Sequence, residues 1–230
     1  MPSFSLPIMK LFSDPVAFFR SLIISAPAIL IALTLHEFAH GWVAYRCGDP
    51  TAKMMGRLSL NPLKHLDLVG TLLLFLVGFG YAKPVPINPR NFRHPRRDDF
   101  LVSIAGITMN LILFALFGSA FLWYINFAPG EVNEYVYYLL YYCAEVNACL
   151  AVFNLIPLPP LDGYHVLNDI ILKRPLFATQ RQAQVGQGIM LLLIVTGILD
   201  KYISFCVGDG YSGLWGGLFW VFKSIAEKFI

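Results

Sequence analysis

The stretch Ser21–Tyr45, SLIISAPAILIALTLHEFAHGWVAY, decides the fold of this chain. It is apolar over a length sufficient to cross a lipid bilayer, and its only strongly ionisable groups are His36, Glu37 and His40. Ionisable groups at membrane depth are costly and normally mark a functional site. The stretch therefore predicts a membrane-spanning helix that carries such a site.

These three residues form the pattern H-E-x-x-H. Residues four apart share one face of an α-helix, so His36 and His40 can present two imidazole nitrogens to one metal ion, with Glu37 beside it. Zinc hydrolases use this arrangement, and by chance the pattern would arise only about 0.002 times in a chain of this composition. The alternative is that the two histidines and the glutamate are simply hydrogen-bonded inside a helical bundle.

The composition places the chain among membrane proteins. Hydrophobic residues make up 57% of it and charged residues 13%, and its mean hydropathy is +0.63. These values predict an all-α polytopic membrane protein with one membrane-embedded domain over residues 1–230 and no separate soluble domain. The net charge of +3 is small. The basic residues cluster in connecting segments, which indicates an interaction with lipid headgroups and not with nucleic acid.

Apolar runs separated by proline, glycine and charged segments predict about five to six transmembrane helices. We expect an interfacial lead-in over residues 1–20, which would lie on the bilayer because its prolines interrupt any long helix. A catalytic core over residues 21–163 and C-terminal helices over residues 164–230 would follow. The predicted spans are 21–45, 100–127, 135–157, 185–202 and a last one after the Gly-rich turn 208–213, and the short apolar stretch 66–81 is predicted to be a re-entrant, partly strand-like element.

The charges of the connecting segments predict the topology. Residues 46–65 carry four Lys or Arg and residues 83–99 carry five. If residues 66–81 crossed the membrane, one of these basic loops would face outward, against the positive-inside tendency. We therefore expect both loops in the cytoplasm, the N-terminus outside and the C-terminus inside. His36–His40 would then lie toward the cytoplasmic side of the cell membrane, roughly 10–15 Å from Arg46.

A second motif, Asn154–Gly163 or NLIPLPPLDG, follows a predicted span. Its three prolines stop the helix near Leu155 or Ile156, and Gly163 is expected to permit a sharp turn after Asp162. Broken backbone at membrane depth is tolerated only where it is buried in protein or lines a watery cavity. Zinc catalysis needs three protein ligands and one open position, so Asp162 is the predicted third ligand. A plain helix terminator with a solvated aspartate is the alternative.

Together these motifs resemble the site-2 protease family of zinc intramembrane proteases, in its short bacterial form without PDZ or CBS domains. The resemblance rests on His36–His40, on Asn154–Gly163 and on Gly106-x-x-x-Asn110 in the intervening span. The stretches 56–65 and 81–91 also resemble compact members. Ile107 departs from the family pattern, because many relatives have proline after the glycine.

The resemblance implies an intramembrane endopeptidase with one Zn²⁺ ion, held by His36, His40 and Asp162, that activates water. Glu37 would act as general base and then as general acid. Asn154 is expected to hydrogen-bond the substrate backbone or the oxyanion, with a helix C-terminal cap as the alternative. The substrates would be transmembrane proteins in the lipid bilayer, such as membrane-anchored transcription regulators or signal-peptide remnants. The alternatives are a metal-ion transporter, which would not need Glu37, and a non-catalytic membrane scaffold.

Several other residues receive secondary predictions. Asn110 and Gly106 are expected to let two helices pack closely, and the alternative for Asn110 is a second polar partner of the substrate. Glu145 is expected to form hydrogen bonds inside the bundle, and the alternative is a catalytic group. His165 is expected to support the site from outside the ligand set. Lys83–Asn88 has extended character and offers a strand edge to an unwound substrate, or serves as a structural loop.

Overall fold

The computed structural model describes residues 13–77, 80–128, 130–172, 179–209 and 212–229. Within these ranges the chain is α-helical and forms no β-strand, as expected for the predicted fold class. Short 3-10 turns at Pro62–Lys64 and Pro89–Asn91 interrupt the loops. The helices are α1 Pro15–Arg46, α2 Thr51–Met54, α3 Leu68–Val77, α4 Pro95–Phe127, α5 Glu134–Asn154, α6 Asp162–Leu167 with a π-helical extension Asn168–Leu172, α7 Gln180–Val195, α8 Ile198–Val207 and α9 Gly213–Phe229.

Three of these helices are long and apolar enough to cross a membrane: Phe18–Arg46, Pro95–Phe127 and Glu134–Asn154. A fourth span is present if α7 and α8 are taken together, although they meet at 76°. The break between them falls at Gly197, which has a positive φ of 70° that favours glycine. The stretch predicted as one span over 185–202 is therefore two helices. The described residues contain three or four candidate spans, fewer than the five to six expected.

Local signals explain where the long helices begin. Helix α4 starts at Pro95, a residue suited to a first helical position because its missing N–H would have no intrahelical partner. The carboxylate of Asp98, in the first turn, accepts a hydrogen bond from the His94 N–H at 2.8 Å. Helix α5 starts after Asn133, whose side chain accepts from the N–H groups of Tyr135 and Val136.

Helices α1, α4 and α5 pack against one another and form the centre of the molecule. The side of α4 that faces the other helices carries buried residues at helical spacing, including Val102, Gly106 and Asn110. Its opposite side exposes apolar residues such as Ile112 and Leu116. A helix that is apolar on its outer as well as its inner side is suited to contact with lipid.

The C-terminal helices α8 and α9 pack against this centre through aromatic contacts and one polar pair. Trp215 on α9 is buried and donates its indole N–H to the Glu145 carboxylate on α5 at 2.6 Å. The prediction that Glu145 forms hydrogen bonds inside the bundle is confirmed. Gly118 on α4 permits the close approach of α9, because a Cβ there would overlap the Leu218 side chain.

The two ends of the stretch 66–81, which was predicted to be re-entrant, lie next to each other. Helix α3 covers Leu68–Val77, and Leu66 and Ala82 on either side of it form an isolated antiparallel bridge. The expected strand-like character is limited to this bridge among the described residues. Gly70 is needed here because a Cβ would lie 2.9 Å from the Tyr81 ring and 3.0 Å from its carbonyl carbon.

The structure differs from the prediction at the C-terminal end of the lead-in, which was expected to cover residues 1–20. Pro15–Arg20 are part of α1, which therefore begins earlier than the predicted span 21–45. Pro15 is the first residue of the helix and does not interrupt it, because a proline at that position blocks no intrahelical hydrogen bond. Residues 1–12, the rest of the lead-in, lie outside the described residues.

Candidate metal centre and active site

The structure brings together the three predicted metal ligands. His36 and His40 lie one turn apart on α1, and their Nε2 atoms are 3.0 Å apart. The Oδ2 atom of Asp162 lies 3.3 Å from both of these nitrogens. Both histidines are buried, and these residues form the one group of His, Cys, Asp and Glu among the described residues that could hold a metal ion.

The donor set fits a zinc ion. Two ligands at about 2.0–2.1 Å from a tetrahedral zinc ion stand roughly 3.3 Å apart, close to the observed distances of 3.0 and 3.3 Å. In addition, Asp162 Oδ2 is buried without a hydrogen-bond donor. A buried carboxylate oxygen in that state calls for a cation, which a metal ion between the three ligands would supply.

Hydrogen bonds on the far side of each imidazole set its orientation. His36 Nδ1 lies 2.5 Å from Asn110 Oδ1, and His40 Nδ1 lies 2.7 Å from the Val102 carbonyl oxygen. Both acceptors place the proton on Nδ1, so each Nε2 keeps its lone pair for a metal. The HExxH helix is therefore oriented by α4, which supplies both acceptors.

Asn110 is itself held by a second buried amide. Its Nδ2 donates to Asn147 Oδ1 at 2.7 Å, and Asn147 Nδ2 donates to the Cys143 carbonyl at 2.7 Å. Neither asparagine has any solvent exposure. This series of hydrogen bonds fixes the orientation of each amide, because an inverted amide would place a donor against a donor. Sequence reasoning missed the bond from Asn110 to His36, although its place one turn after Gly106 was a signal.

Gly106 lies where α4 passes the two imidazoles. A Cβ at this position would overlap His40 Nε2 and lie 2.5 Å from Cε1 and 2.7 Å from Nδ1 of His36. Gly106 therefore does more than let two helices pack closely, because the absence of a side chain makes room for the rings of His36 and His40. Ile107, the departure from the family pattern, is 2% exposed and packs in the core.

Asp162 reaches the histidines from the break after α5. The helix ends at Asn154, at the start of the proline-rich motif, and Asp162 is the first residue of α6. The expected sharp turn after Asp162 is wrong, because the chain continues directly into that helix. Gly163 serves a close approach instead: a Cβ there would lie 2.5 Å from the carbonyl carbon of Leu155 and 2.7 Å from the Ile156 oxygen.

The general-base candidate Glu37 is fixed by a distant part of the chain. Its Oε2 accepts a hydrogen bond from the Val85 N–H at 2.8 Å. The 83–88 stretch therefore lies directly against the site. Two of its other three N–H groups are also engaged, since Lys83 donates to the His65 carbonyl and Asn88 donates to Asp49. Two of its residues are prolines, which have no N–H. Few donors remain for the strand edge that its sequence suggested.

Glu37, the three ligand residues and Asn154 line one cavity of about 530 Å³. The Asn154 side chain donates from Nδ2 to the Leu150 carbonyl at 3.0 Å, one turn back in its own helix. Asn154 is the last residue of α5 and is partly buried. Its amide is therefore anchored by the helix end and borders the space in which a substrate would lie.

A second group of titratable residues lies at the edge of this cavity. His165 Nδ1 is 3.2 Å from Asp99 Oδ2, and both residues line the cavity. The hydrogen bond to Asp99 raises the pKa of His165, although burial opposes it. His165 does not bond to the predicted ligand Asp162 but pairs with α4. Burial and the neighbouring Asp99 carboxylate raise the pKa of Asp169 to about 6.

Comparison with known proteins gives consistent matches. The profile described as Peptidase family M50 matches residues 125–195. A Bacillus subtilis protein named "Putative zinc metalloprotease YwhC" is 40% identical over 184 residues, covering 76% of this chain and 81% of the relative. "Putative zinc metalloprotease Rip2" of Mycobacterium tuberculosis H37Rv is 30% identical over 189 residues, covering 79% and 69%. "Zinc metalloprotease MJ0392" of Methanocaldococcus jannaschii is 26% identical over 177 residues, covering 76% and 43%. No solved structure matches the chain.

Proposed function

Because this chain belongs to peptidase family M50, the site-2 proteases, and is a zinc metalloendopeptidase, we propose that it cleaves peptide bonds within transmembrane segments of other membrane proteins. One observation carries this proposal: the HExxH residues lie within a helix, Phe18–Arg46, that is long and apolar enough to cross a membrane. Asp162 lies 3.3 Å from both histidines, which supports a three-residue ligand set beside a cavity. A substrate would have to reach the site at membrane depth.

We assign His36, His40 and Asp162 as the ligands of one zinc ion. When bound, zinc supplies a Lewis acid that activates water and polarises a carbonyl group. The residues of the chain do the rest of the positioning. Asn110 and the Val102 carbonyl hold the two imidazoles with their protons on Nδ1. Gly106 leaves the space that the rings occupy.

Glu37 would accept the proton of the attacking water and pass it to the leaving nitrogen. Its Oε2 already accepts the Val85 N–H, so the other carboxylate oxygen is the one available to take a proton. Asn154 would stabilise the oxyanion or hold the substrate backbone. Because Nδ2 uses one N–H on the Leu150 carbonyl, its second N–H is the group that would face the substrate.

The topology forms part of the proposal. We place residues 1–230 in one membrane-embedded domain, with the catalytic core in 21–163 and the remaining helices in 164–230. The adjacent ends of the 66–81 stretch, at the Leu66–Ala82 bridge, support a re-entrant element. With both basic loops in the cytoplasm of the cell, the active site would lie toward the cytoplasmic side.

A transmembrane substrate must first unwind, because a helix hides its carbonyl groups in its own hydrogen bonds. The 83–88 stretch lies beside the cavity and could bind the unwound chain. Its N–H groups at 83, 85 and 88 are engaged, and Arg57 binds the carbonyl groups of Lys83 and Pro84. Such binding would therefore rely on the Ile87 N–H and on the remaining carbonyl groups. A structural role for the stretch is therefore the stronger of the two alternatives.

The test is cleavage of a tagged substrate helix by purified protein. We expect Glu37→Gln to reduce kcat by about 10³-fold or more and a zinc chelator to abolish cleavage. Glu131→Gln, an exposed glutamate in the α4–α5 loop, is the matched control and should cleave normally. Equal cleavage by Glu37→Gln would contradict the proposal. Zinc uptake into proteoliposomes that survives Glu37→Gln, without cleavage by the wild type, would favour a transporter.

A further inference from the structure

The stretch Lys83–Asn88, which touches Glu37 at Val85, is attached to the rest of the protein at both ends. At its start, Arg57 Nη2 donates to the Lys83 carbonyl at 2.8 Å and to the Pro84 carbonyl at 3.2 Å. At its end, the Asn88 N–H donates to Asp49 Oδ2 at 2.7 Å. The N–H that meets Glu37 thus lies between two anchors.

Asp49 is the more buried of the two anchors, with no solvent exposure. Its second oxygen, Oδ1, accepts from the Thr51 N–H at 3.1 Å, from the Thr51 hydroxyl at 2.5 Å and from Asn91 Nδ2 at 2.8 Å. Burial acts to raise the pKa of Asp49, but the hydrogen bonds from Asn88, Thr51 and Asn91 outweigh it and hold the pKa below its usual value. Asp49 is therefore a carboxylate that binds the loop in its charged form.

Asp49 also connects this loop to the helix that carries the metal ligands. It follows the end of α1 at Arg46, and its own N–H donates to the Ala44 carbonyl at 2.9 Å. Val85 is 6% exposed and packs against the same helix. Gly41 permits that contact, since a Cβ at Gly41 would lie 3.1 Å from a Val85 methyl group.

We propose that Asp49 is a positioning residue for the reaction: by holding Asn88 to the end of α1, it keeps the Val85 N–H on the Glu37 carboxylate. The hydrogen bond from the Val85 N–H holds Oε2 of Glu37. It thereby orients the other carboxylate oxygen toward the cavity that Glu37 lines. This inference rests on the proposed role of Glu37 as general base. Asp49 is not among the residues that line the cavity and acts only through the loop.

Replacing Asp49 by Asn tests the proposal because the shape is retained. The amide NH₂ must then face either the Asn88 N–H or the donors on the other side, so one set of hydrogen bonds is lost. We expect faster hydrogen exchange of the Val85 amide in the full-length zinc-loaded protein. We also expect kcat to fall by about 10- to 100-fold, as for a misplaced catalytic group, with KM and bound zinc unchanged.

Asp209→Asn is the matched control. Asp209 accepts a hydrogen bond from the Ser212 hydroxyl in the turn before α9, so the variant removes a loop carboxylate without touching the 83–88 stretch. We expect it to keep wild-type kcat and Val85 exchange. The proposal is overturned if Asp49→Asn leaves either the Val85 exchange or kcat at the wild-type value, or loses activity only in proportion to lost zinc.

Arg57→Gln provides a second variant in case Asp49→Asn does not fold. It releases the other end of the stretch and should produce the same faster Val85 exchange and the same loss of kcat at constant zinc content. Unchanged exchange in a folded Arg57→Gln protein would contradict the two-anchor arrangement. The exchange measurement needs no cleavage, so it separates this inference from the proposed function: an active Glu37→Gln protein would overturn the base assignment while leaving the loop attachment intact.

Discussion

At the candidate metal site, His36 is oriented by a buried amide and not by a carboxylate. Asn110 accepts the His36 Nδ1 proton at 2.5 Å and is held in turn by Asn147. Partners of this kind fix the tautomer and direction of a ligand, and their loss typically lowers metal affinity by 10- to 100-fold. The buried amides of Asn110 and Asn147 should therefore contribute to the affinity of the site for zinc.

Asn110→Ala should weaken zinc binding by about 10- to 100-fold, because His36 loses the acceptor that holds its Nδ1–H. The measurement is a competition titration with a chelator of known zinc affinity. Asn126→Ala is the control, since Asn126 bonds to the Leu122 carbonyl near the other end of the same helix. An unchanged zinc affinity in Asn110→Ala would show that His36 is oriented without this bond.

Gly106→Ala should abolish zinc binding and cleavage with little loss of helix content. The added methyl group would occupy the space of the His36 and His40 rings, whose atoms would lie 2.5 and 2.7 Å from it or closer. Gly188→Ala is the control, because a Cβ at Gly188 meets nothing within 4 Å. The measurement is the zinc content of each purified protein by elemental analysis. A Gly106→Ala protein with full zinc content would contradict the close approach of Gly106 to the His36 and His40 rings.

Asp169 gives a pH-dependent prediction. Its pKa is raised to about 6 in the folded protein, against about 3.9 in an unfolded chain. The folded state thus binds the Asp169 proton more tightly than the unfolded state does. The ionised Asp169 carboxylate therefore lowers the stability increasingly as the pH rises from about 4 to 6, and by a constant amount above about pH 6. Asp169→Asn should raise the melting temperature at pH 7.5 more than at pH 4.5. An equal change at both pH values would contradict the raised pKa.

At the scale of elements, the sequence was informative wherever one motif held the relevant residues. HExxH and NLIPLPPLDG each carry candidate ligands within a few residues. Spacing predicted His36 and His40, and the helix break together with the need for a third zinc ligand predicted Asp162. The prolines correctly predicted the end of α5 near Asn154. The same motif misled at Gly163, because the need for glycine arises from the nearby Leu155 backbone, and backbone proximity leaves no periodic pattern in a sequence.

Contacts between elements that carry no recognisable motif were the part that the sequence could not supply. The bonds from Val85 to Glu37 and from Asn88 to Asp49 join residues 48 and 39 positions apart. They depend on how the loop folds back onto α1, and a polar residue in a loop is usually solvated. Asp49 gave no signal of its own for this reason. Its complete burial became apparent only from packing.

At the scale of the whole molecule, the C-terminal helices are joined to the centre through Trp215. Its indole N–H meets Glu145 at 2.6 Å, and its ring stacks on Tyr141 with centroids 5.9 Å apart. The bend at Gly197 turns α8 relative to α7 and changes the expected span into two shorter helices. Hydropathy predicted one apolar span there, but the chain bends at Gly197, whose positive φ favours glycine.

Trp215→Phe should destabilise the protein by about 1–3 kcal/mol, because it leaves the partly buried Glu145 carboxylate without its donor. Thermal unfolding in detergent measures the effect. Trp220→Phe is the control on the same helix, since Trp220 is 70% exposed and its replacement should change the melting temperature little. Equal melting temperatures for the two variants would show that the Glu145–Trp215 pair contributes nothing to the docking of α9.

Mapping the bond that the enzyme cuts tests cleavage within the membrane directly. Wild-type protein and Glu37→Gln, matched for zinc content, are reconstituted in liposomes with a substrate that has one transmembrane helix, and the products are analysed by mass spectrometry. We expect the wild type to cut inside the apolar segment and Glu37→Gln to do so more slowly, by about 10³-fold or more. Cleavage confined to the soluble part of the substrate, or equal cleavage by both proteins, would contradict the proposed function.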